Sequence, residues 1–223
     1  MISVIIPCSL KHFKNLEKVL YYYQQNTIIP DEIIISYGEK NKIPQNEIDF
    51  LKNKYFPFKL FFVVNQLATS AGQNRQIASD IASGDILIYQ DADDLPHKQR
   101  IEVIKYFFDN FDIVHLCHSY LFSNKYIEFN IDLKNINHWG SDAFYKYYFP
   151  NGKLTDCLRI SAFGAFPGLN VKVAAGATSI KKEVLEIIKW ENNPIEDYKF
   201  NMGILYHFNR TMIIDAPIYF YNK

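Results

Sequence analysis

The first hundred residues alternate between short apolar runs and amphipathic stretches, and that alternation limits the folds open to the chain. "SVIIP" (Ser3 to Pro7) is β-branched and stopped by proline, as a buried strand is. Ser9 can cap a helix whose apolar stripe is Phe13, Leu16, Leu20 and Tyr23. Ile33 to Ile35 predict a second strand, "IPQNEIDFLKNKY" a second helix, and Lys59 to Asn65 a third strand. "SAGQNRQIASDIASG" predicts a helix from about Gly72 to Ala82, with Gly84 as its C-terminal cap. "DILIYQ" is a fourth strand, apolar on both faces and therefore central in its sheet. Strands and helices in this succession give an α/β fold, Rossmann-like, with a mostly parallel central sheet flanked by helices. Ligands of such sheets sit beyond the carboxyl ends of the strands. Those ends are Pro7 to Ser9, Ser36 to Glu39, Asn65 to Ser70, and Asp91 to Asp94.

The last of them reads Asp91-Ala92-Asp93-Asp94, three carboxylates in four positions at the mouth of a buried strand. Two such charges ~5 Å apart cost each other about 3 kcal/mol at an effective dielectric near 20. A divalent cation relieves that repulsion, and oxygen ligands suit Mg²⁺ or Mn²⁺. The competing reading is a turn in which Asp94 caps the following helix. Nearby, "TSAGQNRQIA" places Gly72, Asn74 and Arg75 at a helix start, where free N–H groups and a guanidinium favour phosphate oxygens. An ordinary surface ion pair is the alternative for Arg75. Neither a Gly-x-x-x-x-Gly-Lys-Ser/Thr loop nor a Gly-x-Gly-x-x-Gly fingerprint is present. Carboxylates beside an arginine point to a diphosphate bridged by metal.

Beyond residue 96 a helix ("KQRIEVIKYFF") leads to the strand "FDIVHLCHSYLF". Residues 123 to 170 are less regular and contain Trp139. Then come "VKVAAGATSI", a helix over "KKEVLEIIKW", another from about Pro194, and a closing strand pair around Met212 to Tyr221. In "NNPIEDYKF", Asn193 reads as a helix N-cap, Pro194 as the first helical residue and Glu196 as the closure of a capping box. Asp197 then lies in the positive field of the helix N-terminus, which favours its ionised form. His115 and His118 are three apart in a strand and face opposite sides, a poor joint metal site.

Composition narrows the function classes. The chain has 223 residues, no net charge at pH 7 and no polybasic run, so nucleic acid is not an expected partner. Three cysteines without short pairing argue for a reducing compartment and against a zinc cluster. No apolar run approaches the ~20 residues of a membrane helix, and the first residues lack the basic flank of a signal peptide. The expectation is one cytoplasmic domain over residues 1–223.

The order of segments adds a resemblance. "SVIIP", "EIII", "AGQNRQIASDIASGDILIYQDADD", "GATSIKKEVL" and "IEDYKF" together resemble the inverting glycosyltransferases of family 2, which have the GT-A fold. Asn74-Arg75 reverses the order usual in that family, and Ser36-Tyr37-Gly38-Glu39 stands where it usually carries a base-reading Asp. The resemblance implies a nucleotide-binding half (1–96) and an acceptor-binding half (97–223). It implies a nucleotide-diphosphate sugar as donor (UDP favoured, GDP or dTDP as alternatives) and a glycan or glycoconjugate as acceptor. Asp91 and Asp93 become the Asp-x-Asp pair that holds Mn²⁺ or Mg²⁺, with Asp91 nearer the ribose. Pro7, Ser9, Arg75 and Ala92 contact the donor, and Tyr37 stacks on the base or Glu39 takes the missing Asp's role. Asp197 becomes the base. Gly176, Ala177 and Thr178, with Glu196, lie against donor or acceptor sugar, unless the small residues merely permit close packing. Trp139 is either an acceptor platform or core filling. The alternative to an enzyme is a non-catalytic nucleotide-sugar or glycan-binding module of the same fold.

Overall fold

The computed structural model describes residues 1–38, 44–65, 69–123, 125–143, 145–153 and 173–221. Its frame is an eight-stranded sheet in the order β3-β2-β1-β4-β9-β6-β10-β8. The strands are β1 (Ile2–Cys8), β2 (Glu32–Gly38), β3 (Lys59–Asn65), β4 (Ile86–Tyr89), β6 (His115–Ser119), β8 (His138–Gly140), β9 (Val173–Lys181) and β10 (Thr211–Ile214). A second, three-stranded sheet has the order β5-β11-β7, from β5 (Leu95–Pro96), β7 (Leu121–Phe122) and β11 (Tyr219–Tyr221).

The expected parallel core is there: β2 and β4 flank β1 in parallel, with Val4 opposite Ile33 on one side and Ile88 on the other. Every residue of β1 and β2 is buried, which is why these strands read as continuous apolar runs. β9 lies antiparallel between β4 and β6 and knits the two halves of the chain into one sheet.

The helices are α1 (Leu10–Phe13), α2 (Leu16–Gln24), α3 (Gln45–Lys52), α4 (Ala71–Ile81), α5 (Arg100–Asn110), α6 (Tyr145–Tyr148) and α7 (Glu196–Phe208). The stripe Phe13, Leu16, Leu20 and Tyr23 is buried as expected. Its helix, however, is broken at Lys14-Asn15 into α1 and α2, and Ser9 makes no side-chain cap. α4 opens on a full capping box: Ser70 Oγ accepts from the Gln73 N–H while Gln73 Oε1 accepts from the Ser70 N–H, both at 3.2 Å.

Three other expectations need correcting. "KKEVLEIIKW" forms only a 3-10 turn over Lys182–Glu186, because its ends are pinned elsewhere. The Lys182 N–H bonds the Asp85 carbonyl at 2.8 Å, and the Trp190 N–H bonds Gln76 Oε1 at 2.9 Å. The closing strands do not pair with each other: β10 lies between β6 and β8, while β11 joins β5 and β7 in the second sheet. Pro217 falls between them, where a residue lacking an N–H suits a chain leaving its ladder. Lastly, Gly84 does not cap α4, whose C-cap is Ala82. Gly84 is needed for a close approach at the opposite edge from the ligand side. Its N–H donates to Ser3 Oγ at 2.8 Å, and a Cβ there would lie 2.4 Å from that oxygen and 2.7 Å from the Ser3 nitrogen.

Gly84→Ala should therefore strain a buried backbone contact that cannot swing away. The expected cost is about 2 kcal/mol, within the range for overpacking, or roughly 4–8 °C in Tm for a chain of this size. Thermal unfolding followed by circular dichroism checks it; an unchanged Tm would show that Ser3 yields.

Candidate active site

The acidic turn stands on a buried polar frame. Gln90 continues β4, its N–H bonding the Ile5 carbonyl at 3.0 Å. Its Nε2 donates to the carbonyls of Asp91 (2.8 Å) and Asp94 (3.0 Å), which shapes the turn from beneath. Its Oε1 accepts from the Tyr23 hydroxyl at 3.0 Å and from Arg100 Nη1 at 2.5 Å. Arg100 is wholly buried, donates also to the Tyr89 carbonyl at 2.8 Å, and holds its guanidinium 4.9 Å from the Tyr219 ring centroid. The Tyr219 hydroxyl donates to Asp94 Oδ2 and lies 3.1 Å from Asp91 Oδ2. Burial first, then the charges of Asp91 and Asp94, push the Tyr219 phenol well above its ordinary range, so it stays a donor.

The three carboxylates thus take different tasks. Asp94, 1% exposed, is a structural acceptor inside the turn and not a helix cap, since α5 begins only at Arg100. Asp91 is engaged through both oxygens, Oδ1 by Arg75 and Oδ2 by Tyr219. That disposition argues against the direct metal contact expected of Asp91. Asp93 keeps 34% of its side chain exposed and lines an adjoining cavity.

Arg75 gathers the rest of the site. It lies in the second turn of α4, with only 4% of its side chain exposed. Nη2 is 2.7 Å from Asp91 Oδ1; Nη1 is 2.9 Å from Asp197 Oδ1 and 3.3 Å from Glu196 Oε1. Its Cζ sits 4.8 Å from the Trp190 ring centroid, and that ring stacks on Phe200 at 3.9 Å. One guanidinium therefore binds both ends of the site while an aromatic floor shields it from water. The sequence reading aimed this group at phosphate; in the fold it is spent on carboxylates. Gly72 makes the approach possible: a Cβ there would fall 2.3 Å from the Glu191 carbonyl oxygen and 2.9 Å from Glu196 Cγ.

Glu196 and Asp197 open α7, but no capping box forms. The N-cap is Ile195, Asn193 Oδ1 accepts from the Ile195 N–H at 3.0 Å, and Glu196 turns toward Arg75. Nor is the Asp197 carboxyl held at low pKa by the helix field. Burial pushes it up to about 6; Arg75 opposes this, and the charges of Asp91 and Glu196 add to it. From beneath, Asn201 Nδ2 donates to the Asp197 carbonyl at 2.8 Å. Asn201 Oδ1 accepts from Thr178 Oγ1 at 2.9 Å and lies 2.8 Å from His115 Nε2. Since that amide oxygen can only accept, His115 carries its proton on Nε2 and accepts at Nδ1 from Thr211, 3.0 Å away. Burial lowers the His115 pKa to about 4, in keeping with a neutral ring.

A cavity of about 270 Å³ opens beyond β1 and β4, where the strand order reverses, at the place a ligand is expected in an open α/β sheet. It brings together Pro7, Ser9, Asp91, Ala92 and Asp93 of the residues singled out from sequence. Asn74, which the sequence places at the helix start, lines it as well, as do Cys8 and Thr69 from the expected strand ends; His12 and Ala71 were not foreseen. His12 is the notable omission: its Nδ1 is 3.2 Å from Asp93 Oδ2. Nothing in local sequence marks it, because only the fold brings α1 beside the acidic turn. The Asn74 amide oxygen is fixed by the hydroxyls of Ser36 (3.0 Å) and Thr69 (2.8 Å).

The other sequence-predicted residues lie elsewhere. Tyr37 is fully buried and edge-on to Phe13, with no ring face open for a base, so the stacking role does not fit. Glu39 lies outside the described residues. Gly176, Ala177 and Thr178 belong to β9; Ala177 and Thr178 are fully buried, and Thr178 supports α7 through Asn201. Trp139 lies in β8 opposite Ile213 and packs against the apolar cluster of Cys117, Tyr148, Phe149, Met202, Leu205 and Ile213. Core filling, the second of its two readings, describes that position.

Removing Arg75 would leave three carboxylates facing one another. Arg75→Met should cost about 3 kcal/mol, as loss of one partner of a buried pair does, and lower Tm by roughly 6–12 °C in a thermal-shift assay. A Tm within 2 °C of wild type, a window of about 1 kcal/mol, would show that the carboxylates hold their places unaided.

Three comparisons bear on the identity of the chain. The model of "Glycosyl transferase family 2" matches residues 3–167, well over half of the sequence. Among curated proteins, none matches in sequence. Solved structures share the fold. S. aureus TarS 1–349 in complex with UDP aligns with TM-score 0.68 and 15% identity, covering 100% of this chain and 60% of that one. The same protein in complex with UDP-GlcNAc aligns with TM-score 0.69 and 15% identity, covering 100% and 58%. Mannosyltransferase PcManGT from Pyrobaculum calidifontis, in complex with GDP-Man and Mn²⁺, aligns with TM-score 0.60 and 15% identity, covering 97% and 54%. The chain thus spans 60% or less of the length of each of these three. An α/β sheet of this order, a cavity at its switch point and the family match lead to one conclusion: the chain belongs to glycosyl transferase family 2 and has the GT-A fold.

Proposed function

We propose that this chain transfers a sugar from a nucleoside-diphosphate sugar to a hydroxyl group of a glycan or glycoconjugate, with inversion at the anomeric carbon. The observation that carries the reading is the Arg75 bridge. It sets Asp197, a carboxylate with a raised pKa, at one guanidinium's width from Asp91 at the mouth of the cavity. A UDP-sugar is the favoured donor, since TarS is described with UDP and UDP-GlcNAc; the GDP-Man of PcManGT keeps a GDP-sugar as the alternative.

In this reading the acceptor hydroxyl attacks the anomeric carbon from the face opposite the leaving diphosphate. The new C–O bond forms, the bond to phosphate breaks, and Asp197 takes the hydroxyl proton. Arg75 holds Oδ1 of Asp197, while Oδ2 carries no hydrogen bond among the described residues. That orientation suits a general base. A pKa of about 6 also brings the carboxylate closer to a neutral working pH than an ordinary aspartate, whose unperturbed value is about 3.9.

The family also implies a divalent cation. Among the described residues, no three His, Cys, Asp or Glu side chains converge as a metal-holding group. A cation that keeps water and substrate phosphate oxygens needs only one or two protein ligands, and the oxygens of Asp93 at the cavity suit such an ion. Asp93 would hold it, and it would supply charge stabilisation to the departing diphosphate. No described helix is long and apolar enough to cross a membrane. The proposal places the enzyme in the cytoplasm, at a membrane surface where its acceptor is membrane-bound.

Asp197→Asn should lower kcat at least ~100-fold with donor affinity within about twofold of wild type, read by coupled nucleoside-diphosphate release and by calorimetry. Near-normal turnover would remove Asp197 as the base. The pH dependence follows from the raised pKa. The carboxylate is ionised above about 6, so kcat/KM should be flat at neutral pH and fall about tenfold per unit below pH 6. An ascending limb centred near 4 would mean that another group, or an unshifted Asp197, governs the step.

A further inference from the structure

We propose that His12 is a second protein ligand for the divalent cation, pairing with Asp93 so that the metal is held by one imidazole nitrogen and one carboxylate oxygen. The inference rests on the metal-dependent reading of the site given above and names a residue of this chain that completes it. His12 Nδ1 and Asp93 Oδ2 are 3.2 Å apart, and both side chains line the cavity beyond β1 and β4. They remain 29% and 34% exposed, so a solvated ion and a diphosphate can reach both.

Three features make this pair more than a hydrogen bond at the surface. The first is spacing. Two ligands at right angles on an octahedral ion with bonds of about 2.1 Å are separated by about 3 Å, close to the 3.2 Å between His12 Nδ1 and Asp93 Oδ2. The second is backbone fixation: the His12 N–H bonds the Ser9 carbonyl at 3.1 Å, and the His12 carbonyl accepts from the Asn15 N–H at 2.9 Å. The imidazole therefore projects from a pinned turn. The third is division of labour within the acidic turn. Both oxygens of Asp91 and one of Asp94 are committed to Arg75 and Tyr219, which points to Asp93 as the metal-facing carboxylate. An imidazole in the set has a chemical consequence. It shifts preference away from Mg²⁺, which favours oxygen, and toward the later first-row divalent ions that imidazole suits.

The test uses the full chain with Mn²⁺ and either UDP or GDP, and reads metal binding instead of turnover. Titration followed by the electron paramagnetic resonance of free Mn²⁺ should give a Kd at least tenfold weaker for His12→Ala than for wild type. Nucleoside diphosphate binding without metal serves as the reference, and the loss caused by His12→Ala should be at least fivefold larger with Mn²⁺ than without it. Electron spin-echo envelope modulation of the Mn²⁺–diphosphate complex should show ¹⁴N coupling in wild type and none in His12→Ala. His12→Gln, which keeps a hydrogen bond to Asp93 but lacks the imidazole, should behave like the alanine variant. Wild-type Mn²⁺ bound without nitrogen coupling, or full recovery by His12→Gln, would overturn the assignment of His12 while leaving the glycosyltransferase reading intact. No Mn²⁺ bound with either diphosphate would overturn both this assignment and the metal-dependent part of that reading.

Discussion

A single buried cation holds this site in shape. Arg75 is almost inaccessible to water, yet it faces Asp91 from the strand side and Glu196 and Asp197 from the start of α7. Three carboxylates crowded together would repel and draw water inward; with the guanidinium among them they form a compact array with negative charge left over. That residual negative charge would attract a cation. The same geometry gives Asp197 its character. Burial raises its pKa, and Arg75 opposes that rise, so the outcome of about 6 reflects both.

The clamp works because two layers beneath it are rigid. On one side Trp190 and Phe200 form a stacked aromatic floor under the guanidinium. On the other, Gln90, Arg100 and Tyr219 define the acidic turn through hydrogen bonds that reach back to Tyr23 in α2. Arg100 meets no carboxylate within ion-pair distance among the described residues. Its guanidinium meets the Tyr89 carbonyl, the Gln90 amide oxygen and the Tyr219 ring, whose hydroxyl in turn donates to Asp94 and Asp91. Tyr219, close to the end of the described chain, thereby closes a site whose first residues lie in β1.

Much of this was legible in local sequence, and some of it was not. The apolar runs of β1, β2 and β4 and the stripe of α2 follow from periodicity alone, because burial on two faces or one leaves a direct imprint on residue choice. The cavity wall of Pro7, Ser9, Asp91, Ala92 and Asp93 followed from knowing where ligands sit on such a sheet. Tyr37 misled because a strand-end tyrosine has the same letter whether its ring faces solvent or, as here, Phe13. Glu196 misled because its spacing from Asn193 satisfies a capping box, whereas a nearby guanidinium competes for the carboxylate and wins.

By itself the sequence determined the parallel α/β framework, the acidic turn at its ligand side and the family to which the chain belongs, since each is written in contiguous residues. Only the tertiary structure decided which carboxylates are structural and which face the cavity, that Arg75 serves carboxylates, and that His12 stands beside Asp93. Those outcomes depend on side chains that are far apart in the chain, up to 128 positions for Asp91 and Tyr219. Charge, hydrogen-bonding and burial at such sites are properties of the assembled neighbourhood, and no local pattern carries them.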